Sequence, residues 1–356
     1  MSKVHLVAAR ASDPADQTLA RVRALWQAAG FDQVVSKGDL TAIKLHVGEP
    51  GTTTYVSPDI AAALVRCCLE AGAKPFLTDS AVLYRGERDN AVDHARVAVE
   101  HGFSIDRVGA PFVPADGLIG ADEIEVRVDG KYFAKVAIAS AILQARSLIV
   151  LTHATGHLGT GYGGALKNLG MGCASRKGKL RQHHGQQPTI NPDLCTACGT
   201  CAEWCPSDAI TVDKAAHIDD GTCIGCGECI AVCRDGAVEH EWGIMGVELQ
   251  ERVVEHAAAV VRSKPGKIAY LTVAEQITKD CDCMGRQQRP LLDDIGLLAA
   301  RDPVAIEQAV LDLVRARTGR TLEAMSYPRQ DGSAQIRYAK GMGLGDSEVE
   351  LVELSA

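Results

Sequence analysis

Cys195-Thr-Ala-Cys198-Gly-Thr-Cys201-Ala-Glu-Trp-Cys205-Pro206, repeated 28 residues later as Cys223-Ile-Gly-Cys226-Gly-Glu-Cys229-Ile-Ala-Val-Cys233, is the stretch on which the reading of this chain turns. Two-residue spacers let three thiolates wrap one corner of an iron–sulfur cubane. The fourth cysteine of each run lies too far along to close the same cluster, so it ligates the other one. The spacing therefore predicts two [4Fe–4S] clusters, one held by Cys195, Cys198, Cys201 and Cys233, the other by Cys223, Cys226, Cys229 and Cys205. A pair of zinc sites is the competing reading, but zinc asks for four ligands as two pairs, whereas each run supplies four cysteines in the cluster spacing.

The segment resembles a two-cluster bacterial ferredoxin across its length, including Ala209-Ile210 and Ala237-Val238 after each fourth cysteine. It departs from that pattern at Arg234, where proline is usual, which touches the local turn and not the ligand set. Thirteen cysteines in 356 residues fit metal ligation in a reducing compartment better than disulfides. The N-terminal MSKVHLVAARASDPADQ lacks a secretory pattern, and no apolar run approaches the ~20 residues that cross a bilayer. A cytoplasmic, soluble protein without a membrane span is expected. The net charge of −8 argues against nucleic acid as a partner.

Outward from the cysteine runs the pattern changes. Short apolar runs at Val4–Ala8, Ala42–Val47, Pro75–Thr78 and Ser147–Thr152 alternate with helical stretches. Ser57-Pro58-Asp59 opens one helix, stopped by Gly72; another fits Asp89–Glu100, closed by Gly102. After the cysteine-rich segment come a helix around Leu249–Arg262, a strand Lys267–Val273 and a helix Pro303–Arg317 opened by Asp302. This rhythm predicts an α/β fold with a mostly parallel sheet flanked by helices. The expected organisation is one α/β domain in two parts, 1–187 and 241–356, carrying an inserted ferredoxin-like α+β module at 188–240. The tail after Gly319 is too weakly patterned to assign.

Several stretches of the remainder resemble the domain-of-unknown-function 362 family: Ala42–Glu49 (AIKLHVGE), Thr78–Tyr84 (TDSAVLY), Gly156–Gly172 (GHLGTGYGGALKNLGMG), Cys281-Asp282-Cys283-Met284, Asp294-Ile295-Gly296 and Asp302–Ala305. The resemblance implies fold and iron–sulfur content, and supplies no catalytic residue.

Candidate site residues are therefore read from chemistry. Gly159-x-Gly161-x-x-Gly164, with Gly163 beside the last of them, superficially meets a dinucleotide fingerprint, but no strand ending in a ribose-binding acid follows. They either let backbone N–H groups approach an anion or planar cofactor or form a tight turn. His153 and His157 at a strand end, Lys167 and Asn168 after the glycines, and His46 with Glu49 at a second strand end are candidates for acid–base or metal work, as is Asp79. Ligands of open α/β sheets bind at such strand ends. Arg176, Lys177, Lys179 and Arg181, in a basic run continuing to His184, place four positive charges within six residues. They offer a site for a small anionic substrate or an acidic electron partner, or form a solvated loop.

Cys67 and Cys68 read as core. Cys281 and Cys283, joined by Cys173, are candidates for a third metal site: at extended spacing two such sulfurs stand roughly 6.6 Å apart, which suits two irons better than one zinc. A bound flavin is also compatible with the pattern. The favoured function is an iron–sulfur oxidoreductase, in which the module exchanges electrons with a soluble donor or acceptor and relays them to a substrate or metal site in the α/β domain. A non-catalytic electron-transfer or docking protein and an Fe–S-dependent lyase are the alternatives. The sequence sets neither substrate nor oligomeric state.

Overall fold

A computed structural model describes residues 1–84, 86–183, 187–223, 227–239 and 243–355. Seven strands form its central sheet: β1 (Ser2–Val7), β2 (Leu40–Lys44), β3 (Lys74–Thr78), β4 (Ser147–His153), β5 (Ile268–Ala274), β6 (Gly296–Ala300) and β7 (Val349–Leu354), in the order β7-β1-β6-β5-β4-β2-β3. Only β6 runs against its neighbours; every other pairing is parallel. The expected α/β class with a mostly parallel sheet is what the chain adopts. The sheet draws strands from both sides of the cysteine-rich segment.

The helices that cover it are α1 (Ala15–Ala28), α2 (Pro58–Glu70), α3 (Ala91–Glu100), α4 (Ala165–Gly170), α5 (Arg176–His183), α6 (Gly246–Ser263), α7 (Pro303–Thr318) and α8 (Ala334–Gly341). Their starts follow local chemistry. The Ser57 hydroxyl accepts from Asp59 N ahead of Pro58, Asn90 accepts from Val92 N and Asp93 N, and Asp302 from Val304 N and Ala305 N. Strand β4 alternates between two cores. Leu148 and Val150 pack with α6 and α7 residues such as Val254, Ala258 and Val310; Ile149 and Leu151 pack with α1 and α2 residues such as Leu25 and Leu64. Burial on both faces is the signature of a covered parallel sheet.

The tail left unassigned from the sequence forms α8 and the edge strand β7. A hairpin of Glu123–Arg127 with Lys135–Ala139 was likewise not anticipated. In the cysteine-rich segment, short helices Thr200–Glu203 and Glu228–Val232 accompany two small antiparallel ladders, Ile210–Val212 with Ala216–Ile218 and Thr189–Ile190 with Val238–Glu239. Among the described residues no helix is long and apolar enough to cross a membrane.

Candidate functional site

The cysteines gather in two sets. Cys195, Cys198, Cys201 and Cys233 line one small cavity, and Cys205, Cys223 and Cys229 line a second. Cys226, the remaining expected ligand, lies outside the described residues, as does His184. Cysteine sulfurs are the donors that recur in both cavities, beside Asp235, Thr196 and Thr200 in the first and Ser207 in the second, and thiolates are the soft ligands an iron–sulfur cluster takes. Backbone N–H groups point at the sulfurs: Ala209 N to Cys205 Sγ at 3.3 Å, Ala237 N to Cys233 Sγ at 3.2 Å and Ala216 N to Cys195 Sγ at 3.3 Å. The first two are symmetric, each from the alanine four residues past a fourth cysteine.

This cysteine-bearing unit sits directly on α5. Leu83 and Leu180 of the α/β layer join its apolar core. Gly227, at φ +78°, is closed against Leu180, whose Cδ2 would lie 2.2 Å from an added Cβ. Lys177 clamps the contact, with Glu123 at 3.0 Å on one side and Glu228 at 3.6 Å on the other.

Behind α5 a cleft of about 530 Å³ opens at the carboxyl ends of the parallel strands β2, β3, β4 and β5. Lys44, His46, Asp79, Ser80, His153 and the Asp280–Met284 loop reach it from those ends. His157, Gly159, Gly163, Gly164 and Lys167 enter from a hairpin pairing Thr155–His157 with Gly161–Gly163 and from α4, which follows it. Lys179 and His183 of α5 complete the wall on the module side. Of the sequence candidates, Glu49, Gly161, Arg176, Lys177, Arg181 and Cys173 do not line the cleft.

Three buried cations are fully engaged. Lys44 Nζ meets Asp79 Oδ1 at 2.9 Å and Asn168 Oδ1 at 2.7 Å. Arg88 reaches Glu49 Oε2 at 2.8 Å, Tyr84 Oη at 2.7 Å and Asp79 Oδ2 at 3.6 Å. Lys179 Nζ donates to Ser80 Oγ and to Ala174 O. Burial works to raise the Asp79 carboxyl, but Lys44, His94 and His46 hold it well below the usual carboxylate range. Lys167 is different. Among the described residues its Nζ has no hydrogen-bond or ion-pair partner, and burial brings its pKa down to about 8.

The histidines divide into two kinds. Gly48 N donates to His46 Nδ1 at 3.0 Å, and Gly159 N and Thr160 N donate to His157 Nδ1 at 3.2 and 3.1 Å. Burial lowers both rings well below the ordinary histidine value, so each is neutral with its proton on Nε2. His153 has an acceptor on each nitrogen: both Asp282 oxygens at Nδ1, at 2.9 and 3.0 Å, and Glu275 O at Nε2, at 2.9 Å. Burial alone would lower its pKa; the Asp282 carboxylate and these hydrogen bonds raise it. With both nitrogens engaged, His153 ties the Asp282 loop to Glu275 and has no free nitrogen for base work.

Three expectations need correction. The basic run is no exposed docking patch: Arg176 and Lys179 are buried, while Lys177 and Arg181 pair with Glu123, Glu125 and Glu228. Cys281 and Cys283 are not extended, because Met284 N donates to Cys281 O across a turn; their Cα atoms are 5.4 Å apart and the sulfurs are bonded as a disulfide. Cys173 is buried in the core under α6, with its thiol on Asn168 O, and joins no site with them. Glu49 orients Arg88 and Tyr84 from behind the cleft wall. The glycines make a tight turn as well as a cleft wall: Gly161 sits at φ +73°, and Gly164 packs so closely on Glu307 that a Cβ would lie 2.2 Å from its carboxylate.

Lys44 and Arg88 escaped the sequence reading. Lys44 left a signal, a lysine closing an apolar strand; Arg88, in a loop, left none.

The comparison that decides the family is a match to the family model described as Domain of unknown function (DUF362) over residues 41–312. This chain belongs to that family. The chain is 34% identical over 68 residues to the PorD component of pyruvate synthase from Methanothermobacter marburgensis, covering 19% of this chain and 82% of that protein. It is 41% identical over 51 residues to ferredoxin-1 of Rhodobacter capsulatus, covering 12% of this chain and 78% of that one. A 67-residue match at 39% identity to a component of the F(420)H(2) dehydrogenase of Methanosarcina mazei covers 15% of this chain but only 19% of that protein. The chain thus spans less than a fifth of the larger curated relatives it matches. This member of the DUF362 family is an iron–sulfur protein with a ferredoxin-type segment. The lactate racemase apoprotein of Thermoanaerobacterium thermosaccharolyticum overlaps 77% of this chain and 50% of its own at 11% identity, with a TM-score of 0.38, too distant to bear on function.

Proposed function

We propose that this chain is an iron–sulfur oxidoreductase: residues 188–240 form an inserted module with two [4Fe–4S] clusters, and the α/β domain built from 1–187 and 241–356 binds a small anionic substrate in the strand-end cleft. One cluster would be held by Cys195, Cys198, Cys201 and Cys233, the other by Cys205, Cys223, Cys226 and Cys229. When bound, such clusters supply single electrons at low potential.

The observation that carries the reading is the shared helix. On α5, Leu180 packs against Gly227 beside the Cys205–Cys223–Cys229 cavity, while Lys179 and His183 form the cleft wall. The second cluster site thus lies one helix away from the cleft, and exposed Cys198 marks the other as the one a soluble redox partner meets. In the cleft, Lys167 contributes an unpaired positive charge below about pH 8, suited to a carboxylate or phosphate. His46 and His157, neutral and carrying Nε2–H, can each donate a hydrogen bond to the substrate. Leu151, Leu158 and Met171 add apolar lining to the cleft.

The test is iron, acid-labile sulfide and zinc analysis of anaerobically prepared protein, followed by paramagnetic resonance of the reduced protein with and without a panel of small carboxylates. Two clusters per chain, with the spectrum of one perturbed by a carboxylate in the parent and unperturbed in Lys167→Met, supports the reading. Stoichiometric zinc without labile sulfide overturns it.

A further inference from the structure

We propose that Cys281 and Cys283 are a redox-active disulfide–dithiol pair of the cleft, a two-electron site; the proposal rests on the reading that the module delivers electrons there. Both cysteines are half-buried on the cleft wall, facing the space into which Lys167 projects. Their Cα separation of 5.4 Å falls in the range a disulfide requires.

A structural role does not account for the pair. A bridge across two residues closes so short a loop that it removes little entropy from the unfolded chain. The loop is held without it: the Asp282 carboxylate is hydrogen-bonded to His153 Nδ1, Glu49 N donates to Asp282 O at 2.9 Å, and Met284 N donates to Cys281 O at 3.0 Å. Breaking the bridge therefore leaves the backbone where it is. Nor do the described residues around the pair supply a metal site, since Cys173 is elsewhere and both Asp282 oxygens face His153.

The step balances. The S–S bond breaks, each sulfur gains one electron and one proton, the two electrons come one at a time from reduced [4Fe–4S] clusters, and the protons come from solvent through the cleft. Reoxidation by a two-electron acceptor in the cleft restores the bridge. A pair of this kind converts the one-electron traffic of clusters into the two-electron step that most small organic substrates need.

The experiment has two arms, both read by acid quench, thiol alkylation and mass spectrometry of the Cys281–Cys283 peptide from the intact, cluster-loaded protein. In the first, untreated protein should give a peptide lighter by two hydrogens and unalkylated, and a phosphine reductant should render both cysteines alkylatable with no loss of iron. In the second, reduced methyl viologen replaces the phosphine; the dithiol should form in the parent and not in Cys205→Ala, whose iron content is measured in parallel. A positive first arm with a negative second leaves the pair standing and overturns electron delivery by the module. Full alkylation of untreated, air-exposed protein overturns the proposal, as does a metal or iron complement that falls in Cys281→Ser and in Cys283→Ser.

Discussion

Replacing Asp79 with asparagine tests the electrostatics of the cleft floor. Asp79 Oδ1 is 2.9 Å from Lys44 Nζ and Oδ2 is 3.6 Å from Arg88, and both cations are about 1% exposed. At an effective dielectric constant of about 20, those separations correspond to attractions of about 6 and about 5 kcal/mol before desolvation is counted. Arg88 keeps Glu49, and Lys44 keeps Asn168 and Leu45 O, so the loss is less than the sum. Leaving one buried charge without its partner costs about 3–5 kcal/mol, a large share of the roughly 5–15 kcal/mol that stabilises a protein. In urea unfolding of equally iron-loaded protein, Asp79→Asn should lower the midpoint by roughly 1 M or more. Lys44→Met combined with Asp79→Asn should cost less than the sum of the single changes, since no lysine is then stranded. The pH dependence has a definite sign. Lys44 depresses the Asp79 carboxyl, so its stabilisation is present above the ordinary carboxylate range and fades as pH falls through the depressed value; this acid limb should vanish in Asp79→Asn. A midpoint within error of the parent, or additive single and double variants, refutes the reasoning.

Cys205→Ala should remove about half of the iron and the signals of the cluster site shared with Cys223 and Cys229, not those of the site nearer in sequence, because the fourth cysteine crosses over; iron analysis and resonance spectra decide it. Carboxylate binding should be strongest below about pH 8 and fall about tenfold per unit above it, a dependence lost in Lys167→Met and read by calorimetry across pH 6–10. Lys177→Glu should loosen the module from α5, seen as faster proteolysis between 184 and 243, because it sets a like charge against Glu123 and Glu228. Burial holds the Glu307 carboxyl up at about 8, so its contribution to stability is full below the ordinary carboxylate value and is lost as pH rises through 8; Glu307→Gln should flatten that decline in a pH series of unfolding curves.

Legibility in the sequence tracked how local the physics is. The helices opened by Ser57 and Asp302 and the cysteine spacing are written within a few residues, and they could be read there. Strand β7 could not: its side chains are half-exposed, and it is held by parallel pairing with β1, 347 residues away. The basic run at 176–181 misled because its counter-charges, Glu123, Glu125 and Glu228, lie far off in the chain. Cys281 and Cys283 misled because a turn, not an extended segment, sets their spacing. The cleft itself was half visible: His46, His157 and Lys167 were marked as strand-end and loop polar groups, whereas Arg88 needed the fold to show what it balances.

The placing of β6 and β7 on either side of β1 has a consequence for how the chain is made. Strand β1 is synthesised long before either of its partners, which do not exist until residues 296–300 and 349–354 emerge. At roughly 5–20 residues per second, that strand waits on the order of 15–60 s with both edges unpaired. The cysteine runs leave the ribosome well before the sheet can close. Cluster insertion therefore has a window in which the module stands on an unfinished platform, while both edges of β1 are still open to pairing with another chain.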